Sequence, residues 1–467
     1  NCRKQYLYFP EIKGLLSAKL KAITTMKLKT FLIVGCLGGF FALNSCTAPT
    51  NEKDYSVFVN PFIGTGGHGH TFPGAVVPHG MIQPSPDTRI DGWDACSGYY
   101  YEDSTINGFS HTHVSGTGCC DYGDVLLMPT VGEQRYQTTD PQSQQLAYSS
   151  AFSHENETAE PGYYSVFLDT YQVKAEISAT KRSAIHRYTF PESSEAGFIL
   201  DLDYSLQRQT NSDMGIEVIS DTEICGHKKT TYWAFDQYIN FYAKFSKPFS
   251  YTLVTDSITM DNGKRLPVCK VLLHFNTTKD EQVLVKVGVS AVDIAGARKN
   301  VESEMPGWDF DKVRKNARSA WNQYLSKIDI TTPDKDDKTI FYTALYHTAI
   351  SPNLFTDADG RYLGMDLEVH QGDTINPLYT VFSLWDTFRA LHPLMTIIDP
   401  DLNNQFINSL IKKHQEGGIY PMWDLGSNYT GTMIGYHAVP VIVDAYMKGY
   451  RNFDAKEAYK ASLRAAE

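Results

Sequence analysis

Five histidines and several aromatic and sulfur-containing side chains crowd into residues 60–130, a polar, glycine-rich stretch of the chain. It contains the segments NPFIGTGGHGHTFPGAVVPHG, GWDACSGYYYED and GFSHTHVSGTGCCDYGD. Such side chains can bind metals, exchange hydrogen bonds and pack against a sugar ring. Loops that hold them at this density commonly line a site. We therefore expect residues 60–130 to contribute to a binding or catalytic pocket.

Two His-x-His pairs in this stretch, His68 with His70 and His111 with His113, raise the question of zinc. Tetrahedral zinc needs four nitrogen or sulfur ligands whose spacing lets them converge. The two cysteines that follow are adjacent and cannot easily both reach one ion, and no CxxC or HExxH motif occurs. The favoured interpretation is that these histidines form hydrogen bonds that shape a polar pocket.

Two glycine-containing motifs resemble ligand loops only loosely. Residues 64–67 (GTGG) lack the lysine and the strand-to-helix setting of a phosphate loop, so we expect these glycines to allow a close backbone approach. Residues 357–360 (DADG) begin like a calcium loop, but the glutamate at the EF-hand spacing is absent. We expect a tight turn there, stabilised by the aspartate side chains.

Two aromatic motifs in the second half of the chain leave alternatives open. In SLWDTFR (383–389), Asp386 and Arg389 are three residues apart on a helix and could simply pair with each other. Alternatively, Asp386 accepts hydrogen bonds from two sugar hydroxyls while Trp385 forms a packing wall. The motif GGIYPMW (417–423) lies either at the mouth of a barrel or at the end of a helix pair.

The elements that must position these residues change in type along the chain. Apolar and polar residues alternate with a period of two in the segments 163–190, 197–204, 238–246, 269–275 and 281–293, which is typical of antiparallel strands. After Pro306 the apolar spacing becomes helical. Helices are predicted within 306–333, after the N-cap candidate Asp334, and at about 378–392, 401–414, 433–448 and 454–467.

The beginning of the chain resembles an exported protein. From Met26, two lysines, an apolar run and the sequence LNSC resemble a lipoprotein signal peptide, with Cys46 as the lipid-modified residue. We interpret 1–25 as a spurious upstream segment, 26–45 as the signal peptide and 46–54 as a tether. This interpretation places the protein outside the cytoplasm, in the periplasm or on the outer membrane of a bacterium, attached only by its lipid.

Composition excludes some partners. The chain has 42 basic and 53 acidic residues. The charged residues before Cys46 are mainly basic, so the chain that remains after removal of the predicted signal peptide is more negative. A net negative charge argues against nucleic acid, because binding to phosphates needs a basic face. Aromatic residues make up 13% of the chain, which suits either a sugar-binding surface or a β-rich core. Few cysteines follow Cys46, so we expect no disulfide framework.

Taken together, NPFIGTGG, GWDACSGYYY, GFSHTHVSGTGCCDYGD, SLWDTFRA and NYTGTMIGYHAVPVIVDAYMKG resemble glycoside hydrolase family 92, which comprises bacterial, exo-acting, calcium-dependent α-mannosidases. The resemblance implies an N-terminal antiparallel β-sandwich (a supersandwich, 55–305), a linker helix (306–333) and the first part of an (α/α)6 toroid (334–467). The site would lie at the junction of the two folds. Because a closed toroid needs more helices, we expect this chain to be truncated.

The resemblance also implies functions for individual residues. Trp93 corresponds to a sandwich loop that reaches the sugar and sets the linkage preference, and Asp386 to a carboxylate that holds mannose hydroxyls. Gly66, His113 and Arg389 are weaker substrate-binding candidates. The sequence Asn-Tyr-Thr at 428–430 departs from the Asn-Glu-Thr expected there, which puts any charged function of that loop in doubt.

The chemistry that the resemblance implies is inverting hydrolysis, in which one carboxylic acid protonates the leaving oxygen and one carboxylate activates water. Calcium would bind two mannose hydroxyls. The motifs that supply the acid, the base and most calcium ligands are not found, so we expect them beyond Glu467 and predict an inactive chain. The predicted activity of the whole protein is removal of α-1,2-linked mannose from N-glycans or mannan. The alternatives are a non-catalytic surface glycan-binding lipoprotein and a disaccharide phosphorylase, although no cluster of basic residues supports the phosphorylase.

Overall fold

The structure is a computed structural model that describes residues 53–118, 120–137, 142–255, 258–259, 265–266, 268–373 and 375–466. The predicted upstream segment, signal peptide and lipidation site Cys46 lie outside these residues, as does Cys119. The described cysteines, Cys96, Cys120, Cys225 and Cys269, are buried, and no disulfide joins any two of these four.

Short antiparallel strands build the first part of the described chain, as the alternating pattern predicts. In chain order they are β1 (Ser85–Asp87), β2 (Thr105–Ile106), β3 (Gly108–Ser110), β4 (Leu126–Val131), β5 (Ser150–Ala151), β6 (Glu157–Glu160), β7 (Tyr163–Leu168), β8 (Val173–Ala179), β9 (Ser183–Phe190), β10 (Ser193–Asp201), β11 (Thr210–Val218), β12 (Glu223–Thr231), β13 (Gln237–Phe245), β14 (Ser250–Val254), β15 (Ile258–Thr259), β16 (Arg265–Leu266), β17 (Lys270–Thr277) and β18 (Glu281–Ser290).

Two large sheets form from these strands. One sheet has the order β1-β3-β4-β10-β17-β14 and the other β11-β12-β13-β18-β9-β8-β7-β6. In the pairing of β10 with β17, Phe198 lies opposite Leu273 and Leu200 opposite Val271. These side chains are buried in one apolar core together with Val285 from the other sheet. Each sheet therefore covers an apolar face of the other, and we call this part the sandwich.

Helices dominate from residue 294 onward, and we call this part the helical region. Their bounds are α1 (Ile294–Glu304), α2 (Phe310–Leu325), α3 (Lys335–His347), α4 (Leu384–Thr387), α5 (Leu391–Ile398), α6 (Pro400–Gly417), α7 (Ala438–Met447) and α8 (Ala455–Ala466). Asp334 caps α3 by accepting a hydrogen bond from the Asp336 backbone N–H, which confirms the predicted N-cap. Of the residues that the structure describes, none belongs to a helix long and apolar enough to cross a membrane.

The predicted helix at about 378–392 is wrong over most of its length. Short strands occupy this region instead, and only α4 and the start of α5 are helical. The small strands of the helical region are β19 (Asn353–Leu354), β20 (Arg361–Leu363), β21 (Val369–Gln371), β22 (Tyr379–Thr380), β23 (Phe382–Ser383), β24 (Trp423–Leu425) and β25 (Asn428–Tyr429). β23 pairs with β24, so a contact forty residues away outweighs the local helical pattern.

The helix α1, which the sequence did not indicate, packs on the sandwich. A Cβ on Gly288 of β18 would lie in the space that α1 occupies at Val301, so this glycine lets the helix approach the strand. The DADG motif then ties both elements to the helical region. Asp357 accepts hydrogen bonds from Ser290 at 2.5 Å and from Asn300 at 2.8 Å. Residues 357–360 form the predicted tight turn, with the Gly360 N–H donating to the Asp357 carbonyl.

A second apolar core joins the sandwich to the helices. Phe72 and Val76 from a sandwich loop are buried with Trp321 of α2 and Tyr346 of α3. The Trp321 indole N–H donates to the Val76 carbonyl at 2.6 Å. Because this core is shared, the position of the histidine-rich loops is set from both sides.

Candidate functional site

The histidine-rich stretch separates in the structure into a buried part and an exposed part. His111 and His113 belong to the buried part. His111 has its Nδ1 2.6 Å from the Val125 carbonyl and its Nε2 3.0 Å from His186 Nε2. Burial lowers the pKa of His111 to about 4, so the ring is neutral at physiological pH. The His111 ring therefore forms hydrogen bonds through both nitrogens, as predicted.

His113 does not lie where a substrate-binding residue would have to lie. Its Nε2 is 2.7 Å from the Asp87 carboxylate and its Nδ1 is 2.7 Å from the Gln83 carbonyl. The side chains of His113 and Asp87 are both fully buried. The ring therefore holds the sandwich together, and the expectation that His113 binds substrate is corrected.

The exposed part is made by two neighbouring loops. Trp93, on the turn Trp93–Ala95, is 58% exposed, and the His70 ring meets it edge-on with 4.9 Å between centroids. His68 Nδ1 lies 2.8 Å from an oxygen of Asp94. We call this group the sandwich lobe of the candidate site; its members are His68, His70, Trp93 and Asp94.

Glycines shape the loop that holds the two histidines. A Cβ on Gly69 would collide with the backbone of Gly64, so the loop closes only because residue 69 is glycine. The prediction of a close approach, made for the glycines of residues 64–67, holds only for Gly64, where a Cβ would lie 2.8 Å from the Thr71 hydroxyl. Gly66, a predicted substrate-binding residue, is half-buried at the base of the same loop, and its carbonyl accepts from the Gly69 N–H at 3.3 Å.

A second group of side chains surrounds the short helix α4. Asp386 is exposed, and one of its carboxylate oxygens accepts a hydrogen bond from the Ser383 hydroxyl at 2.6 Å. Phe388 stacks on His437 with 4.3 Å between ring centroids. We call this group the helical lobe of the candidate site; its members are Ser383, Trp385, Asp386, Phe388, Arg389 and His437.

Arg389 does not pair with Asp386. Its guanidinium lies 5.1 Å from the ring centroids of both Trp385 and Phe388, a cation–π arrangement. In the described part of the chain no ion pair joins Arg389 to Asp386. The pairing alternative for SLWDTFR is therefore wrong, and Asp386 faces solvent, while its binding of sugar hydroxyls stays a prediction.

In the motif GGIYPMW the residues Tyr420, Pro421 and Trp423 are buried, whereas its first three residues are exposed. Tyr420 donates its hydroxyl to the Ala458 carbonyl of α8 at 3.2 Å, and Gly418 ends α6 with a left-handed φ of 80°. Trp423 is buried and lies 4.4 Å from the Trp233 ring of the sandwich. The motif therefore ends a helix and seals the junction.

The segment 114–118 connects the two lobes. The Gly116 N–H donates to the His70 carbonyl at 2.7 Å, while Val114 is buried in one cluster with Val381 and Trp423. Val381 directly precedes the strand that leads into α4. The two lobes therefore border the same junction between sandwich and helical region, although no ring contact or hydrogen bond joins Trp93 to Asp386 among the described residues.

Other carboxylates near the junction already have partners. Asp424 lies 3.0 Å from Lys413, and both side chains are fully buried. Burial raises the pKa of Asp424, while the lysine opposes the shift. Asn428 belongs to the loop whose charged function the resemblance put in doubt. Its side-chain amide accepts a hydrogen bond from the Asp236 N–H and donates one to the Asp236 carbonyl. These groups hold the junction closed and are not available to a substrate.

The described residues do not fit a calcium ion. Calcium takes six to eight oxygen ligands. Within the described ranges, the one group of three or more metal-binding side chains contains two imidazoles, His68 and His70, beside Asp94. Asp357 is occupied by Ser290 and Asn300. We therefore derive no step through calcium.

Sequence reasoning missed Asp94, Ser383, Phe388 and His437. Asp94 stands next to Trp93 within a quoted motif, so proximity to an exposed aromatic residue could have pointed to it. His437 lies about fifty residues from Phe388, and nothing local indicates that the two rings stack.

Comparison with known proteins settles the family. Residues 58–290 match the glycosyl hydrolase family 92 N-terminal domain, and residues 296–467 match the glycosyl hydrolase family 92 catalytic domain. The chain belongs to glycoside hydrolase family 92. The resemblance seen in the sequence motifs is confirmed, and so is a β-rich first domain followed by a helical one.

Solved structures of this family resemble the chain closely. A family GH92 α-mannosidase from Bacteroides thetaiotaomicron is 36% identical, with a TM-score of 0.83, and the match covers 89% of this chain and 57% of that one. It was also solved in complex with mannoimidazole. An inverting GH92 mannosidase from strain VPI-5482 of that organism is 28% identical, with a TM-score of 0.77, over 88% of this chain and 55% of that one.

A curated relative from Arthroderma benhamiae, described as an uncharacterized secreted glycosidase, is 28% identical over 91% of this chain and 54% of its own length. The chain thus spans a little more than half the length of the relatives it matches.

Proposed function

We propose that this family 92 chain forms the sugar-binding face of an exo-acting α-mannosidase that removes terminal mannose from mannose-containing glycans outside the cytoplasm. The observation that carries the proposal is Asp386, an exposed carboxylate whose orientation is fixed by the Ser383 hydroxyl and which directly follows Trp385 in the chain. A carboxylate can accept hydrogen bonds from two neighbouring hydroxyls, and an aromatic face packs on the C–H groups of a sugar. The α-mannosidase relatives support mannose as the sugar.

The sandwich lobe would then contact the sugar that precedes the terminal mannose. Trp93 is the most exposed side chain of that lobe after His68, and an exposed indole is suited to stacking on a sugar ring. We propose that Trp93 favours an α-1,2 linkage. Gly66 would let the ligand approach the backbone, and Arg389 would keep the Trp385 ring in place.

Binding by the described lobes is testable directly. Titration of the chain with α-1,2-mannobiose, followed by tryptophan fluorescence, should give a saturable change that Asp386→Ala abolishes. Asp444→Ala is the matched control, because Asp444 is a partly exposed carboxylate on α7 that pairs with Lys448. Equal binding by wild type and Asp386→Ala would contradict the proposal. A stronger response to α-1,6-mannobiose would contradict only the linkage.

Hydrolysis by an inverting mechanism requires two carboxyl groups about 6.5–9.5 Å apart with water between them. Asp424 and Asp87 are buried in pairs with Lys413 and His113 and cannot take these functions. We propose that the acid, the base and the calcium ligands lie beyond Glu467, and that this chain alone hydrolyses an aryl α-mannoside at background rate. Calcium-dependent turnover by this chain would overturn that part of the proposal.

A non-catalytic glycan-binding lipoprotein shares the same sugar-binding face, so binding does not distinguish it from the mannosidase. Lipid attachment at Cys46 is likewise a proposal, and the secreted relative supports a location outside the cytoplasm. Radiolabelled palmitate should enter the protein in a bacterial host and should not enter Cys46→Ala. Labelling of both forms would rule out lipidation at this residue.

A further inference from the structure

We propose that His68, His70 and Asp94 bind a divalent transition-metal ion of the zinc type that clamps the two loops of the sandwich lobe together. One potential ligand atom from each residue lies within 4.8 Å of the others. His68 and His70 come from the glycine-rich loop, whereas Asp94 comes from the turn Trp93–Ala95. Three ligands on two separate loops would cross-link those loops and leave the fourth tetrahedral position to water.

The strongest support is the state of the His70 ring. His70 is only 7% exposed, and its Nε2 is buried and has no hydrogen-bond partner among the residues that the structure describes. A buried nitrogen that lacks a partner is costly, so such atoms usually have a reason to be there. The Thr117 backbone interacts with the same ring, as a backbone carbonyl commonly does with the second nitrogen of a metal-bound histidine.

The spacing of the ligand atoms favours metal binding. His68 Nδ1 and the Asp94 oxygen are already 2.8 Å apart, so a metal ion would replace the proton that now lies between them. Two ligands bonded to one tetrahedral ion at about 2.1 Å lie roughly 3.4 Å apart, so little movement is needed.

The donor set selects the class of ion. Two imidazoles and one carboxylate suit zinc and its neighbours in the first transition series, whereas calcium prefers oxygen alone. The site is therefore separate from any calcium site of the family. It also differs from the zinc arrangement considered from the sequence, because His111 and His113 point into the sandwich and only His68 and His70 remain, joined by Asp94.

The test is a titration of the chelator-treated chain with Zn²⁺ by calorimetry, with Ca²⁺ as a parallel arm. We expect one Zn²⁺ per chain and no competition from calcium. His68→Ala and His70→Ala should each weaken binding by at least about 100-fold, and Asp94→Asn by about 10–100-fold. His68 is 73% exposed at its side chain, so His68→Ala should fold even if His70→Ala does not.

His370→Ala is the matched control, because His370 also lies 3.0 Å from a carboxylate, Asp366, but has no second imidazole beside it. The affinity of the His370→Ala variant for Zn²⁺ should stay within about twofold of wild type, because a surface substitution away from the metal has only a small energetic effect. A second readout uses Cu²⁺, which should quench a tryptophan emission component that is missing in Trp93→Phe. Absence of Zn²⁺ binding, or unchanged binding in His68→Ala and Asp94→Asn, would overturn the proposal.

Discussion

The sandwich and the helical region bury charge in the same way but present different surfaces to solvent. Each encloses a lysine–aspartate pair whose side chains are fully buried, Lys228 with Asp124 at 2.9 Å and Lys413 with Asp424 at 3.0 Å. In the described chain, however, every large apolar side chain that is more than 58% exposed belongs to the helical region. Ile397 and Met447, both at 76%, are the extreme cases.

The difference follows from how each architecture covers its apolar faces. Two sheets packed face to face cover each other's apolar surface, so the core of the sandwich is shielded from solvent without further elements. A helix has a cylindrical surface and needs neighbours on more than one side before its apolar residues are covered. Met447 on α7 and Leu463 on α8 are examples of apolar side chains that remain exposed, at 76% and 51%.

The largest expected effect is on the buried pair of the helical region. Lys413→Met should leave the Asp424 carboxylate buried without its partner and lower the free energy of unfolding by about 3–5 kcal/mol. Urea denaturation followed by circular dichroism measures this change. Lys412→Met is the control, because its side chain is half-buried and lies beyond ion-pair distance of any carboxylate in the described ranges.

The double variant Lys413→Met/Asp424→Leu tests whether charge is the cause. Removing both charges should recover most of the lost stability. If the double variant is as unstable as Lys413→Met, the cost is one of packing. If Lys413→Met alone does not change the free energy of unfolding, the buried ion pair does not stabilise the helical region, and the comparison with the pair in the sandwich fails.

A smaller, pH-dependent effect is expected where the two regions are tied together. Burial raises the pKa of Asp357 to about 6 from an ordinary value of 3.8, so the folded protein keeps a proton that the unfolded chain releases. The stability that this proton contributes is complete below about pH 4 and is lost as the pH rises to about 6. Asp357→Asn should therefore gain about 2–3 kcal/mol relative to wild type across that window.

Thermal or urea unfolding measured between pH 4 and pH 7 checks this slope. Asp359→Asn, which removes a carboxylate from the same turn at an exposed position, is the comparison variant. Its stability should change with pH in the same way as that of the wild type. A difference between Asp357→Asn and wild type that does not change with pH would mean that Asp357 is charged in the folded protein.

In the glycine-rich loop of the sandwich, the stability lost on substitution by alanine should depend on which glycine is replaced. Gly69→Ala pushes a methyl group into the Gly64 backbone and should cost about 1–3 kcal/mol. Gly66→Ala, three residues earlier, meets only the Tyr101 Cβ at 3.7 Å and should be nearly neutral for stability. Differential scanning calorimetry of both variants checks this ranking, and equal losses would mean that the loop relaxes.

The smallest effect on stability is expected at the exposed helical surface. Met447→Lys should change the free energy of unfolding by no more than about 0.5 kcal/mol, because the side chain is already in water. It should nevertheless reduce the binding of a hydrophobic dye, since it interrupts the apolar surface. Tyr251→Lys on the sandwich, at 51% exposure, is the comparison, and an equal reduction there would erase the contrast between the regions.

Local patterns in the sequence determined the elements of this protein. Alternation with a period of two located β7 to β10, β13, β17 and β18 but not β4, β11, β12 or β14. The N-cap Asp334 marked the start of α3, because a cap depends only on neighbouring residues. The same local reasoning failed at 378–392, where pairing of β23 with β24 replaces the predicted helix. Motifs of several residues were specific enough to indicate the family, which the matches to both of its domains then confirmed.

Only the tertiary structure decided what each chemically active side chain does. His70 and His113 belong to similar His-x-His pairs, yet one has a buried nitrogen without a partner and the other is locked to Asp87. Arg389 could have paired with Asp386, but it lies over Trp385. The physical reason is that solvent exposure and hydrogen-bond partners come from residues far apart in the chain, and no short window of sequence contains them.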